Sequence, residues 1–134
     1  LLAVERIARE RSRDYGVIAH DGRSKGSIYR VTDLVEKPAP GEAPSDLAII
    51  GRYILTPEIF GHLEKTPPDA KGEIQLTNGL RSLLKKQPIA AYRFQGKRFD
   101  TGNKLGFLKA TVEFALKRKD LGRDFREYLK TLKF

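Results

Sequence analysis

Apolar residues recur first in short runs and later at helical spacing. Leu1–Ile7 and Tyr15–His20 are rich in Val, Ile and Leu and predict two strands. Asp21-Gly22 opens a polar stretch ending at Gly26, which predicts a turn before a third strand, Ser27–Glu36, of imperfect alternation. Lys37-Pro38 closes that strand, because proline cannot donate to a ladder. Positions 38–46, with three prolines, form a stiff loop. Leu47–Leu55 reads as a buried strand interrupted by Gly51, followed by a short helix with Thr56 as cap, Pro57 at its first position, and Ile59, Phe60 and Leu63 as its apolar side. Ile74, Thr77, Leu80 and Leu84 mark a longer helix over about Glu73–Gln87, which Pro88 ends. Ile89–Phe94 predicts another strand and Gly96–Asp100 a short extended return. Asn103 caps a helix with Leu105, Leu108, Val112 and Ala115 as its buried face, and Phe125, Leu129 and Leu132 continue from Leu121 at helical spacing. Strands alternating with helices predict an α/β layer architecture.

Length and composition narrow this further. The 134 residues correspond to one domain or part of one, and 40% hydrophobic residues argue against disorder. No apolar run approaches the roughly 20 residues of a membrane-spanning helix, and no secretory signal opens the chain. With no cysteine there is neither a disulfide framework nor a thiolate nucleophile, which fits a cytoplasmic setting. His20 and His62 stand apart without ligand-like neighbours, so carboxylates are the candidate metal ligands. A chain without Met that opens on a strand pattern reads as a piece of something longer. The net charge is +9, and residues 104–134 hold nine Lys/Arg against four Asp/Glu. Such an end suits either nucleic acid or a solvated helix face. The mixed signs, and aromatics lying on the apolar stripe, favour the helix face.

Three clusters carry candidate chemistry. Val35-Glu36-Lys37-Pro38 places a carboxylate and an ammonium at a strand end, where ligands of open α/β sheets sit. Glu36 can accept from sugar hydroxyls and Lys37 can meet a phosphate, unless the two are a plain surface pair. In Lys71-Gly72-Glu73-Ile74-Gln75-Leu76-Thr77, Glu73 is either ordinary first-turn chemistry or a partner for a polyhydroxylated ligand. Phe99-Asp100-Thr101-Gly102-Asn103-Lys104-Leu105-Gly106 is either a capped turn or a place for a metal–phosphate complex, with Asp100 as ligand. Gly16 permits close approach of a ligand or a bulge, and Gly51 either close backbone approach or tight packing.

From Val4 to about Asp124 these motifs, with Tyr-Gly-Val and Ala-Pro-Ser-Asp-Leu-Ala-Ile-Ile-Gly-Arg-Tyr-Ile-Leu, resemble the bacterial UTP–glucose-1-phosphate uridylyltransferases of the sugar nucleotidyltransferase superfamily. The resemblance implies the C-terminal, sugar-binding part of a Rossmann-like nucleotide-diphospho-sugar transferase domain, a mixed sheet with flanking helices, over residues 1–134. It implies the reaction of UTP with glucose 1-phosphate to UDP-glucose and pyrophosphate with Mg²⁺, and a homo-oligomer for the full-length enzyme. It also assigns glucose hydroxyls to Glu36 and Glu73, the sugar phosphate to Lys37, backbone contacts to Gly16 and Gly51, and the metal to Asp100. The family's Gly-rich loop ending in Gly-Thr-Arg, its other metal-binding aspartate and its uracil-reading residues do not occur here. The isolated chain is therefore expected to turn over negligibly. The competing expectations are a non-catalytic sugar-phosphate-binding fragment and a basic nucleic-acid-binding protein.

Overall fold

The structure, a computed structural model, describes residues 1–133. It divides into two compact units, Leu1–Gln95 and Gly96–Phe134. The first holds five strands, β1 (Leu2–Arg6), β2 (Gly16–Lys25), β3 (Ile28–Glu36), β4 (Leu47–Tyr53) and β5 (Ala90–Arg93), with a 3₁₀ turn at Arg9–Asp14 and helices α1 (Glu58–Leu63) and α2 (Leu76–Leu84). The second holds α3 (Lys104–Lys117) and α4 (Gly122–Thr131). The sheet is mixed, as expected: β1 runs parallel to β5, and every other pair is antiparallel. The pairing order β1-β4-β2-β3-β5 returns to β1, so each strand has a neighbour on both sides.

Alternation explains most of the core. Leu2 and Val4 of β1 are fully buried, as are Leu47 of β4, Ile18 of β2 and Leu80 of α2. Tyr29, Val31 and Leu34 of β3 join them, with Ile59 from α1 and Leu83 from α2. The β3 series changes phase between Val31 and Leu34. Its register against β2 runs from Asp33 opposite Ala19 to Val31 opposite His20, which leaves Thr32 as an extra residue. That bulge reverses which face of the strand each later residue occupies. Leu34 is thereby brought to the buried side that Val31 occupies, and the irregular alternation of the sequence has a physical cause.

Three expectations need correction in the first unit and two in the second. The polar stretch at Asp21–Gly26 does not end β2, which runs on to Lys25. His20 Nδ1 accepts the Gly22 N–H and Asp21 Oδ1 the Arg23 N–H, so side chains serve the irregular ladder locally. Helix α1 has no side-chain cap, and its flanking residue is Pro57 rather than Thr56. Helix α2 starts at Leu76, not at Glu73. In the second unit Gly96–Asp100 joins no ladder. Helix α3 does begin at Asn103, whose Oδ1 accepts the Gly106 N–H at 2.7 Å. Its expected buried face is nevertheless open, with Leu105 and Leu108 about 60% exposed.

Candidate functional site

The end of β3 is held in an unusual conformation. Lys37 has φ 46°, the one positive φ outside glycine among the described residues. A left-handed non-glycine residue costs on the order of 1–3 kcal/mol and persists only where its surroundings impose it. Here the Lys37 N–H donates to Tyr15 O at 3.0 Å, and the buried Ser12 hydroxyl donates to Pro38 O at 2.9 Å. The 3₁₀ turn between β1 and β2 thus clamps the Glu36-Lys37-Pro38 corner from both sides.

Glu36 is gripped from α2. The Thr77 hydroxyl donates to its Oε2 at 2.5 Å, while Oε1 lies 3.7 Å from Lys37 Nζ. A methyl group on Gly16 would stand 2.8 Å from Thr77 Oγ1 and 3.1 Å from Glu36 Oε2. The glycine in Tyr-Gly-Val therefore makes room for this pair, and close packing is its structural role. Tyr53 feels the charge of this carboxylate. Burial first, and then the negative charge of Glu36, push its phenol pKa above the ordinary value.

Across the corner, the loop before α2 is built on Asp69. Its Oδ1 accepts the N–H groups of Lys71 and Glu73, and its Oδ2 accepts Gln75 Nε2 at 2.8 Å. The same Gln75 amide donates to Glu73 Oε2 at 3.1 Å. The Gln75 hydrogen bond, then those two N–H groups, hold the Asp69 pKa below the usual carboxylate value. Arg81 forks onto Asp33 at 2.6 and 2.7 Å and ties α2 to β3. Between corner and loop is a cleft of about 400 Å³. Glu36 and Lys37 line it from one side, Lys71, Glu73 and Gln75 from the other, with Arg81 from α2. Its walls offer carboxylates and amides for hydroxyls and cations for an anion, the mixture a phosphorylated sugar requires.

Of the six residues singled out in the sequence, Glu36, Lys37 and Glu73 line this one cleft, and Gly16 lies behind Glu36. Gly51 is not on its walls. It has φ 74° and open space where a side chain would be, so the backbone conformation, not tight packing, asks for glycine there. Asp100 belongs to the second unit, where its Oδ1 accepts the Gly102 N–H at 3.0 Å and its carbonyl accepts from Asn103. Among the described residues no three carboxylates or histidines gather into a cation cage. A single exposed carboxylate suits a cation such as Mg²⁺, which binds through one or two carboxylates with phosphate and water oxygens completing its octahedron. The sequence gives no role to Tyr53, Asp69 or Arg81, nor to Thr77, which closes the Lys71–Thr77 motif at helical spacing with Leu80 but has its partner 41 positions away.

A mixed α/β unit with this corner and cleft belongs to a defined class. The nucleotidyl transferase family model matches residues 2–116, and the chain belongs to that family. Among its relatives is the UTP–glucose-1-phosphate uridylyltransferase of Streptococcus pneumoniae serotype 4, 49% identical over 128 residues. That alignment takes in 96% of this chain and 43% of the relative, and a Streptococcus pyogenes serotype M1 enzyme of the same name is 46% identical. The chain thus spans less than half the length of the curated relatives it matches. Among solved structures, a UDP-glucose pyrophosphorylase complexed with UDP-glucose matches with a TM-score of 0.80 at 44% identity, over 87% of this chain and 44% of that one. A UTP-bound UGPase from Acinetobacter baumannii matches with 0.84 at 37% identity, over 98% and 45%.

Proposed function

We propose that this chain forms the sugar-phosphate side of a UTP–glucose-1-phosphate uridylyltransferase, as the C-terminal, sugar-binding part of a single nucleotidyltransferase domain acting in the cytoplasm. In the reaction, a phosphate oxygen of glucose 1-phosphate attacks the α-phosphorus of UTP in line. The bond from that phosphorus to the bridging oxygen breaks, and pyrophosphate leaves with UDP-glucose formed. Such a transfer depends on positioning and charge neutralisation, not on a covalent nucleophile.

The observation that carries the reading is the strained corner at Lys37 beside a carboxylate fixed by Thr77, both on one polar cleft. Glu36 accepts hydrogen bonds from glucose hydroxyls, and Glu73 does so from the opposite wall. The Lys37 ammonium meets the sugar-linked phosphate. Gly16 lies behind Glu36 and leaves room for it, whereas Gly51 stands off the cleft; Asp100 is the carboxylate that would hold Mg²⁺. That ion, when bound, would neutralise charge on the phosphates. The similar structures complexed with UDP-glucose and bound to UTP support this choice of ligands. The nucleotide-binding face belongs to sequence outside these residues, so negligible turnover is expected of the isolated chain. In the full-length enzyme a homo-oligomer is expected.

Calorimetric titration with UDP-glucose and Mg²⁺, against UDP-mannose, tests the reading. Selective binding of UDP-glucose that is weakened in Lys37→Ala and in Glu36→Gln supports it. Equal affinity for the two sugars, or full binding by both variants, overturns it.

A further inference from the structure

We propose that Thr77 is a positioning residue for sugar recognition: its hydroxyl fixes the Glu36 carboxylate in its binding orientation. The inference rests on the reading of Glu36 as a ligand for sugar hydroxyls. A glutamate at the end of a strand has three rotatable bonds, and binding would have to freeze them. In this structure they are already restrained. Thr77, buried in the first turn of α2, donates to Oε2 at 2.5 Å. The Glu36 side chain is itself only 21% exposed, and the other carboxylate oxygen stands 3.7 Å from the Lys37 ammonium. Oε2 is thus tied to the protein, while Oε1 sits on the side of the phosphate-binding cation.

The geometry excludes a casual contact. Thr77 and Glu36 are 41 positions apart and come from different elements. The chain leaves Gly16 without a side chain where a Cβ would press on both groups at 2.8 and 3.1 Å. Arg81, one turn further along α2, grips Asp33 of β3 with two hydrogen bonds. Helix and strand are therefore locked in register at the point where the hydroxyl must reach the carboxylate. A buried hydroxyl next to a core leucine, Leu80, would otherwise be a poor choice for a residue facing the sheet.

The test is a double-mutant cycle read by calorimetric binding of UDP-glucose to the 134-residue chain, with Thr77→Val, Thr77→Ser, Glu36→Gln and the double variant Thr77→Val/Glu36→Gln. Thr77→Val should weaken binding on the order of ten-fold, the scale of a hydrogen bond to a charged group. Thr77→Ser, which keeps the hydroxyl, should stay within about two-fold of the parent. In the Glu36→Gln background, Thr77→Val should cost little more, because the group it positions is already altered. Equal losses from Thr77→Val in both backgrounds, or a Ser variant as weak as Val, would overturn the positioning role and leave Glu36 as a ligand. Binding that falls in Glu36→Gln but not in Thr77→Val has the same meaning. A folded parent that binds no UDP-glucose, or a Glu36→Gln variant that binds as the parent does, overturns the ligand reading and this inference with it.

Discussion

The charge on Glu36 has a reporter beside it. Tyr53 is held neutral to higher pH than an exposed tyrosine, first by burial and second by the Glu36 carboxylate. The folded pKa lies above the unfolded one, so Tyr53 contributes stability that is full below about pH 10 and is lost as pH rises through the folded value. Replacing Glu36 by Gln should move the Tyr53 titration part of the way back, with burial retaining the rest. Ultraviolet titration, with Tyr53→Phe identifying its share of the phenolate absorbance, reads this directly. An unmoved titration would show that the carboxylate does not act on Tyr53. The residues of the site were legible in unequal measure for a related reason. Glu36, Lys37 and Glu73 stand in contiguous motifs that advertise polar groups at element ends. Thr77 and Tyr53 act through neighbours distant in the chain, and a threonine among leucines at helical spacing has no local mark of its partner.

Between elements, α2 is fastened to β3 and α1 by two contacts with opposite consequences for engineering. At the first, burial tends to raise the Asp33 pKa. The Arg81 fork, the Leu34 N–H and the charges of Arg81 and Lys85 outweigh it and carry the value below that of an ordinary carboxylate. A depressed folded pKa contributes stability that is full above the unfolded value near 3.8 and is lost as pH falls through the folded one. Urea denaturation should therefore find Asp33→Asn weaker than the parent at neutral pH, with the gap closing at the acid end. A constant gap at every pH would assign the loss to packing instead. At the second contact, Gly79 of α2 faces Leu63 of α1, and an added Cβ would lie 2.6 Å from Leu63 Cδ2. Gly79→Ala gains about 1 kcal/mol of helix propensity but must displace Leu63. It should be near neutral in the parent and stabilising by about 1 kcal/mol in a Leu63→Ala background. Equal effects in both backgrounds would mean that Leu63 yields freely.

These two ties also show why element ends were harder to read than elements. The expected start of α2 at Glu73 fails because Asp69 captures the Lys71 and Glu73 N–H groups for a separate loop. The phase of β3 was ambiguous because its alternation contains the Thr32 bulge. Strand existence, by contrast, followed from short apolar runs between turn residues in all five cases. The face expected to be buried on α3 is exposed, since periodicity reveals an apolar stripe but not whether anything within these residues covers it.

At the scale of the molecule the two units are unequally built. Every residue of the hydrophobic core lies between Leu2 and Ala91, and all five strands lie between Leu2 and Arg93. In the unit from Gly96 onward only Ala110 and Gly122 are buried among the described residues, and it carries eleven Lys/Arg against five Asp/Glu. A segment of that size without disulfides falls near the lower limit for independent folding, about 40 residues. Residues 1–95 alone should keep a cooperative thermal transition, whereas 96–134 alone should not; circular dichroism distinguishes the two. The shortened chain also separates the proposed roles, because it keeps Glu36, Lys37, Glu73 and Thr77 and removes Asp100. If the cleft holds the sugar phosphate by itself, glucose 1-phosphate should bind to residues 1–95 with an affinity indifferent to Mg²⁺. A Mg²⁺ dependence that persists without Asp100 would place the metal contact elsewhere, and loss of the thermal transition would show that the core between Leu2 and Ala91 is not self-sufficient.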